Sequence, residues 1–208
     1  RDALESQAPG LPERIAQFSG VWHEVRDEAR AFADPGLREQ AAACLAAQKS
    51  NFDVVLAAIT TSPDASRDLA GRWFAELAPP DMCGDPAVLR RGSFDAGAPD
   101  PDYARGITLL LRDDLNGARN ALLAAQARAA DPRAHGQASR RLAEIAMQAG
   151  DLGQAEALLR AAARDLAGDE LLALYIDKQL ALLAGGRDDP REVLTLYRVA
   201  AERLGRLR

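Results

Sequence analysis

Few side chains in this chain have the chemistry for catalysis or metal binding. Two cysteines (Cys44, Cys83) and two histidines (His23, His135) are the whole set of soft ligands in 208 residues. Neither type recurs at the two- to four-residue spacing that closes a zinc site, and His23-Glu24 lacks the second histidine of a zincin helix. No metal and no cofactor is therefore expected, and His23 reads as a surface residue beside Trp22. The cysteines leave two readings open. In an oxidising compartment Cys44 and Cys83 would close a loop of about 40 residues, stabilising by roughly 3–4 kcal/mol on the chain-entropy model. In a reducing compartment they would be two separate buried thiols. The 31 acidic residues fall mainly on presumed solvated helix faces, so no acid–base pair stands out and no catalytic residue is assigned.

Composition narrows the elements that could position these groups. With 48% hydrophobic and 27% charged residues, the chain can bury a substantial core. Gly and Pro gather at 79–101 and near 185–190, and most of the rest is Ala, Leu, Arg and Glu, strong helix formers. The sequence predicts an all-α fold. A net charge of -5 with interspersed signs offers no basic stripe for a phosphate backbone, so no nucleic-acid partner is expected. No apolar run approaches the roughly 18 residues of a membrane span, so this segment is not expected to insert into a bilayer. The chain begins at Arg1 without a methionine, as a piece of a longer protein would.

Periodicity then places helices. Leu11, Ile15, Phe18, Val21, Trp22, Val25, Ala29 and Phe32 recur every three or four residues and predict a helix over 11–33. Asp34-Pro35-Gly36 should stop it. A second helix is expected from Leu37 to Thr60, with Ala41, Cys44, Leu45, Phe52, Val55, Leu56 and Ile59 inward. Ser62-Pro63 opens a third to Leu77, burying Leu69, Trp73 and Phe74. After a Pro-rich break at 78–86 comes one helical turn, 87–91. The sequence divides into an amino-terminal helical subdomain, 1–92, and a second domain, 102–208, with helices near 102–112, 115–130, 134–149, 152–167, 169–184 and 189–206.

The second domain repeats itself. Asp113-Asp-Leu-Asn-Gly-Ala-Arg-Asn-Ala-Leu-Leu-Ala-Ala125 returns at Gly150–Ala162 and, more weakly, at Asp188–Ala200. Small residues fall at matching places where paired helices would cross: Gly106, Ala143 and Ala181; Ala118, Ala155 and Val193; Ala125, Ala162 and Ala200. Bulk there would force the axes beyond their usual separation of about 8–10 Å. Leu115, Leu122, Leu152, Leu159 and Tyr197 should fill the space between, and Gly185-Gly186 should lengthen the last turn.

These positions resemble the tetratricopeptide repeat, with its small eighth residue, alanines at the twentieth and twenty-seventh places, and a Gly-Asp type turn. The likeness covers three units, about 102–133, 134–168 and 169–206, and decreases toward the third. It implies a right-handed solenoid of helical hairpins, with the amino-terminal subdomain as its cap. It also implies a binding groove on the first helix of each unit, lined by Tyr103, Gln137, Arg140, Glu144, Gln148, Tyr175 and Lys178.

The amino-terminal half carries a second likeness. Trp22 through Ala29, Cys44-Leu45, Leu77-Ala-Pro-Pro80 and Cys83-Gly-Asp-Pro-Ala-Val-Leu89 resemble the region between the kinase domain and the tetratricopeptide repeats of large myxobacterial-type serine/threonine kinases. One departure is Ala29, where that family carries a cysteine. Lysine occurs only at Lys49 and Lys178 among 26 basic residues, an Arg bias that suits a GC-rich bacterial source. The chain itself has no glycine-rich phosphate loop, His-Arg-Asp or Asp-Phe-Gly element. The likeness implies a non-catalytic scaffold or sensor region of a kinase, binding a protein or peptide and lying outside the cytoplasm if a membrane helix precedes Arg1; otherwise it would be cytoplasmic. The alternative from another class is an assembly subunit permanently docked in a larger complex.

Overall fold

The computed structural model describes residues 11–60, 80–90, 100–186 and 189–207. Every regular element among them is helical. The described residues up to Arg90, together with Leu111–Asp114, form one compact unit; Asp100–Leu110 and the residues from Leu115 onward form the other. The helix expected over 62–77, with Leu69, Trp73 and Phe74, lies outside the described residues.

In the first unit, α1 (Leu11–Arg30) and α2 (Pro35–Thr60) are followed by a 3-10 turn (Pro80–Gly84) and a single helical turn, α3 (Pro86–Leu89). The Asp34-Pro35-Gly36 stop is also a start. The Asp34 carboxylate accepts the Gly36 amide at 2.8 Å and its carbonyl accepts Arg38 N, so α2 begins two residues earlier than periodicity predicts. Proline suits that position because the first helical N–H has no intrahelical acceptor to lose. Arg38 in turn donates to the Phe32 and Ala33 carbonyls, satisfying acceptors left over beyond the end of α1.

Val25, Ala29, Leu37, Ala41, Cys44, Leu45, Cys83 and Leu89 make the core of this unit, bordered by Val21, Trp22, Phe32 and Met82. A disulfide joins Cys44 to Cys83, with Cα atoms 5.6 Å apart, and both cysteines are fully buried. It holds the 3-10 turn against α2. Trp22 donates its indole N–H to the Leu45 carbonyl at 3.1 Å, fixing α1 to α2 one residue from the bridge. Phe18 stacks on Phe52 at 4.4 Å farther along the same pair of helices. Phe52 and Leu56 are half-buried rather than fully inward.

The second unit consists of α4 (Pro101–Leu111), α5 (Leu115–Arg128), α6 (Pro132–Gln148), α7 (Leu152–Asp165), α8 (Glu170–Gly186) and α9 (Pro190–Leu207). Aspartates start five of them. Asp100, Asp131, Asp151, Asp169 and Asp189 each accept the backbone N–H of the third residue on. Such a cap contributes about 1 kcal/mol relative to alanine. At the other end of α6, Gly150 lies at φ +77° while the Asp151 amide donates back to Ala146 at 2.9 Å. That left-handed turn is inexpensive for glycine. Asp113, at the matching place of the preceding repeat, also has positive φ, 60°.

Close packing follows the small residues. Ala118, Ala125, Ala143, Ala155, Ala162 and Ala181 are buried, and consecutive helices from α5 to α9 pack on each other. A Cβ on Gly106 would lie 2.6 Å from Leu122 Cγ, and one on Gly136 would lie 2.7 Å from Leu166 Cγ. Both glycines are therefore dictated by helix separation. Two expectations fail in the third hairpin. Gly185-Gly186 does not lengthen a turn: α8 runs through Gly186, and the Asp189 amide still reaches the Ala184 carbonyl at 3.2 Å. Tyr197 does not fill an interhelical space, because among the described residues no helix follows α9 to cover it, and it is 49% exposed.

Candidate functional site

On α6, Gln137, Arg140, Glu144 and Gln148 recur every three or four residues, the spacing that aligns side chains on one helix face, and Arg141 lies three before Glu144. Glu144 is the pivot. Its Oε1 accepts Arg140 Nη1 at 2.6 Å and its Oε2 accepts Arg141 Nη1 at 2.7 Å. One carboxylate thus orients two guanidinium groups, which reach in different directions.

Arg140 extends toward α8, where its guanidinium carbon sits 5.2 Å from the centroid of the Tyr175 ring. A cation over a tyrosine face gains from the ring quadrupole. One turn on, Gln179 donates its amide to the Tyr175 hydroxyl at 3.1 Å. Arg141 reaches α4 and donates to Tyr103. The outcome is a continuous ladder, Tyr103–Arg141–Glu144–Arg140–Tyr175–Gln179, that links α4, α6 and α8.

The ladder is largely withdrawn from water but open at one side. Arg140 is only 8% exposed, whereas the Tyr175 side of the ladder faces solvent. Burial works against the Arg141 charge, yet the Glu144 carboxylate and Tyr103 more than offset it and hold its pKa above the ordinary arginine range. Two permanent cations thus share one anion. The Nε of Arg140 and the Oε1 of Gln179 are buried without an intramolecular partner. Leaving a buried polar atom without a partner costs on the order of 1–3 kcal/mol, so each has hydrogen-bonding capacity to spare.

Four residues of the sequence-derived groove, Tyr103, Arg140, Glu144 and Tyr175, come together here. Gln137 lies half-buried on the same face of α6, whereas Gln148 and Lys178 are exposed and take no part in the ladder. Arg141 and Gln179 were missed. Arg141 carried a signal, a basic residue three before Glu144 on a helix, but Gln179 had none.

A second polar cluster on α6 invites comparison with a catalytic triad. His135 Nδ1 pairs with Asp165 of α7 at 2.6 Å, and Ser139 stands one turn away. The Ser139 hydroxyl, however, donates to the His135 backbone carbonyl at 2.8 Å and accepts Gln126 at 2.8 Å, and the residue is fully buried. A hydroxyl so engaged has no proton path to an imidazole nitrogen, so the cluster lacks the nucleophile–base contact of acyl transfer. Its bonds join α5, α6 and α7, and Arg133 pairs with Asp169 at the start of α8 at 3.4 Å. In the first unit His23 is exposed, with its ring edge-on to Trp22 at 5.1 Å, while Arg26 covers the Trp22 ring at 5.3 Å.

Among the described residues no group of three or more His, Cys, Asp or Glu side chains could hold a metal ion. No described helix is long and apolar enough to cross a membrane. Comparison with family models, curated proteins and solved structures finds no match to this chain.

Proposed function

We propose that this chain is a non-catalytic protein-interaction module in which three tetratricopeptide-like hairpins stack as a right-handed solenoid, capped by the amino-terminal unit, and bind a peptide or protein partner along α4, α6 and α8. The ladder is the observation that carries this reading. Arginine and tyrosine dominate binding hot spots because each combines apolar area with directional polar groups. Here they are oriented before any partner arrives, which lowers the ordering cost of association. Partner capture by purified protein tests the surface: Arg140→Ala and Tyr175→Ala should each weaken recovery by roughly tenfold or more, while unchanged recovery would discard this face.

The module serves, on this proposal, as the sensor or scaffold region of a bacterial serine/threonine kinase, held outside the cytoplasm. Support comes from the first unit. Trp22, Cys44, Leu45, Cys83 and Leu89, scattered along the sequence stretch that carries the kinase likeness, are drawn around one core: Leu89 is buried, Trp22 bonds Leu45 beside the disulfide, and Pro80 is buried in the same 3-10 turn as Cys83. A disulfide suits an oxidising compartment. The genomic reading frame upstream of Arg1 decides the matter: kinase motifs and a membrane helix belong to this reading, and a different upstream domain would defeat it.

A further inference from the structure

The last helix carries a second apolar stripe. One face of α9, formed by Val193, Leu196, Ala200 and Arg203, is half-buried, and α9 packs on α8 with Arg203 paired to Asp177 at 3.0 Å. About 100° around the helix, Leu194, Tyr197, Ala201 and Leu204 recur at intervals of three and four. They face solvent, with Leu194 at 67% and Leu204 at 43% exposure. A single exposed leucine needs no explanation, but an aligned stripe of this kind does.

Comparison within the molecule shows what such a stripe does elsewhere. Tyr197 occupies the repeat position of Leu122 in α5 and Leu159 in α7. Both leucines are fully buried, Leu122 in a cluster with Leu142 and Ile145 of α6, and Leu159 in a cluster with Ile176, Leu180 and Leu183 of α8. In each earlier hairpin that position is covered by the next helix. Leu194, moreover, stands where the earlier copies have Arg119 and Glu156. Where the earlier copies carry a half-buried charged residue, the third carries an exposed leucine, which enlarges the exposed stripe.

We infer that this stripe is the self-association surface of the protein, with α9 of one copy lying antiparallel on α9 of a second across a two-fold axis. The order of residues supplies the argument for a second copy. Reversed upon itself about its midpoint, the stripe sets Leu194 opposite Leu204 and the large Tyr197 opposite the small Ala201, at both ends alike. The same reversal sets Arg198 of one copy opposite Ala200 of the other, two residues along the exposed flank from that copy's Glu202. An interface that satisfies residue i against j and j against i is what closed two-fold pairing requires. The inference does not depend on the ladder being a binding site, since α9 contributes none of its members.

Sedimentation equilibrium of the whole chain tests it. Twice the 22.2 kDa chain mass is expected at concentrations up to about 100 μM, and Tyr197→Glu, which buries a charge at the centre of the pairing, should raise the dissociation constant by at least about tenfold. Because Tyr197 is exposed, circular dichroism of that variant should match the parent. Orientation has its own readout, since both native cysteines are in the disulfide. The Leu194→Cys/Leu204→Cys variant should cross-link between chains on mild oxidation and Leu194→Cys alone should not. A mass of one chain at every concentration, a dimer untouched by Tyr197→Glu, or ready cross-linking of Leu194→Cys alone would overturn the inference.

Discussion

The two units solve the same problem, fixing helices against each other, by different means. In the first, the described residues of two long helices, a short 3-10 segment and one helical turn share a buried core, in which a tryptophan hydrogen bond ties α1 to α2 and a covalent bridge ties the 3-10 segment to α2. In the second, no cysteine is present, and the six described helices pack through buried alanines such as Ala118, Ala143, Ala155 and Ala181 and through the close glycines Gly106 and Gly136. The contrast teaches where each unit is fragile. The first depends on one bond between distant residues, while the second depends on many small contacts, each local in sequence.

Breaking the bridge should give the largest effect. On the chain-entropy model a cross-link spanning 39 residues contributes about 4 kcal/mol. The Cys44→Ser/Cys83→Ser variant should therefore lose several kcal/mol in urea denaturation. Tryptophan emission suits this readout, because both tryptophans, Trp22 and Trp73, precede residue 91. An unchanged midpoint would mean that the core needs no bridge. Next comes the glycine contact of the second unit. Gly106→Val would drive a branched side chain into Leu122, costing about 1–3 kcal/mol. Far-UV dichroism should show a lower melting temperature, and a neutral result would contradict the close approach of α4 and α5.

Smaller effects sharpen the contrast within the helical repeats. Gly150→Ala places a Cβ at φ +77° and should destabilise by about 1–2 kcal/mol, although there is open space around it; a stabilised variant would show that the turn can relax. The smallest effect expected is that of pH on the start of α4. Burial favours the neutral form of Asp100, but hydrogen bonds from the Tyr103 amide and Arg128, then the Asp102 amide, outweigh it and hold the carboxyl below its usual range. A depressed folded-state pKa contributes stability that is complete above the unfolded value and is lost as pH falls through the folded one. Asp100→Asn should therefore lower stability slightly at neutral pH and converge with the parent in acid, flattening the acid limb of the stability curve below about pH 4; an equal loss at both would contradict a charge-based role.

Much of the architecture could be read from local signals. Asp34-Pro35, Asp85-Pro86, Asp100-Pro101, Asp131-Pro132 and Asp189-Pro190 each begin a helix, because a carboxylate caps the free amides and proline has no amide to strand. Periodicity alone reads the first as a stop and the second as part of a break, and sets the other three helices one or two residues from their observed starts. The ladder was half legible: helix phase aligns Arg140, Arg141 and Glu144, but the reach of Arg140 to Tyr175 and of Arg141 to Tyr103 depends on how neighbouring helices are rotated. Spacing along one helix carries no such information. The same limit hid the exposure of Tyr197, since periodicity identifies an apolar stripe without showing whether another helix covers it.

The claim that matters most for function is that the ladder is the docking surface. Its most direct test is quantitative partner capture by four proteins in parallel: the parent chain, Arg140→Ala, Tyr175→Ala, and Lys49→Ala on the exposed face of α2. The account predicts that both ladder variants lose recovery by about tenfold or more while Lys49→Ala matches the parent. Equal recovery by all four, with unaltered helical content, would contradict it.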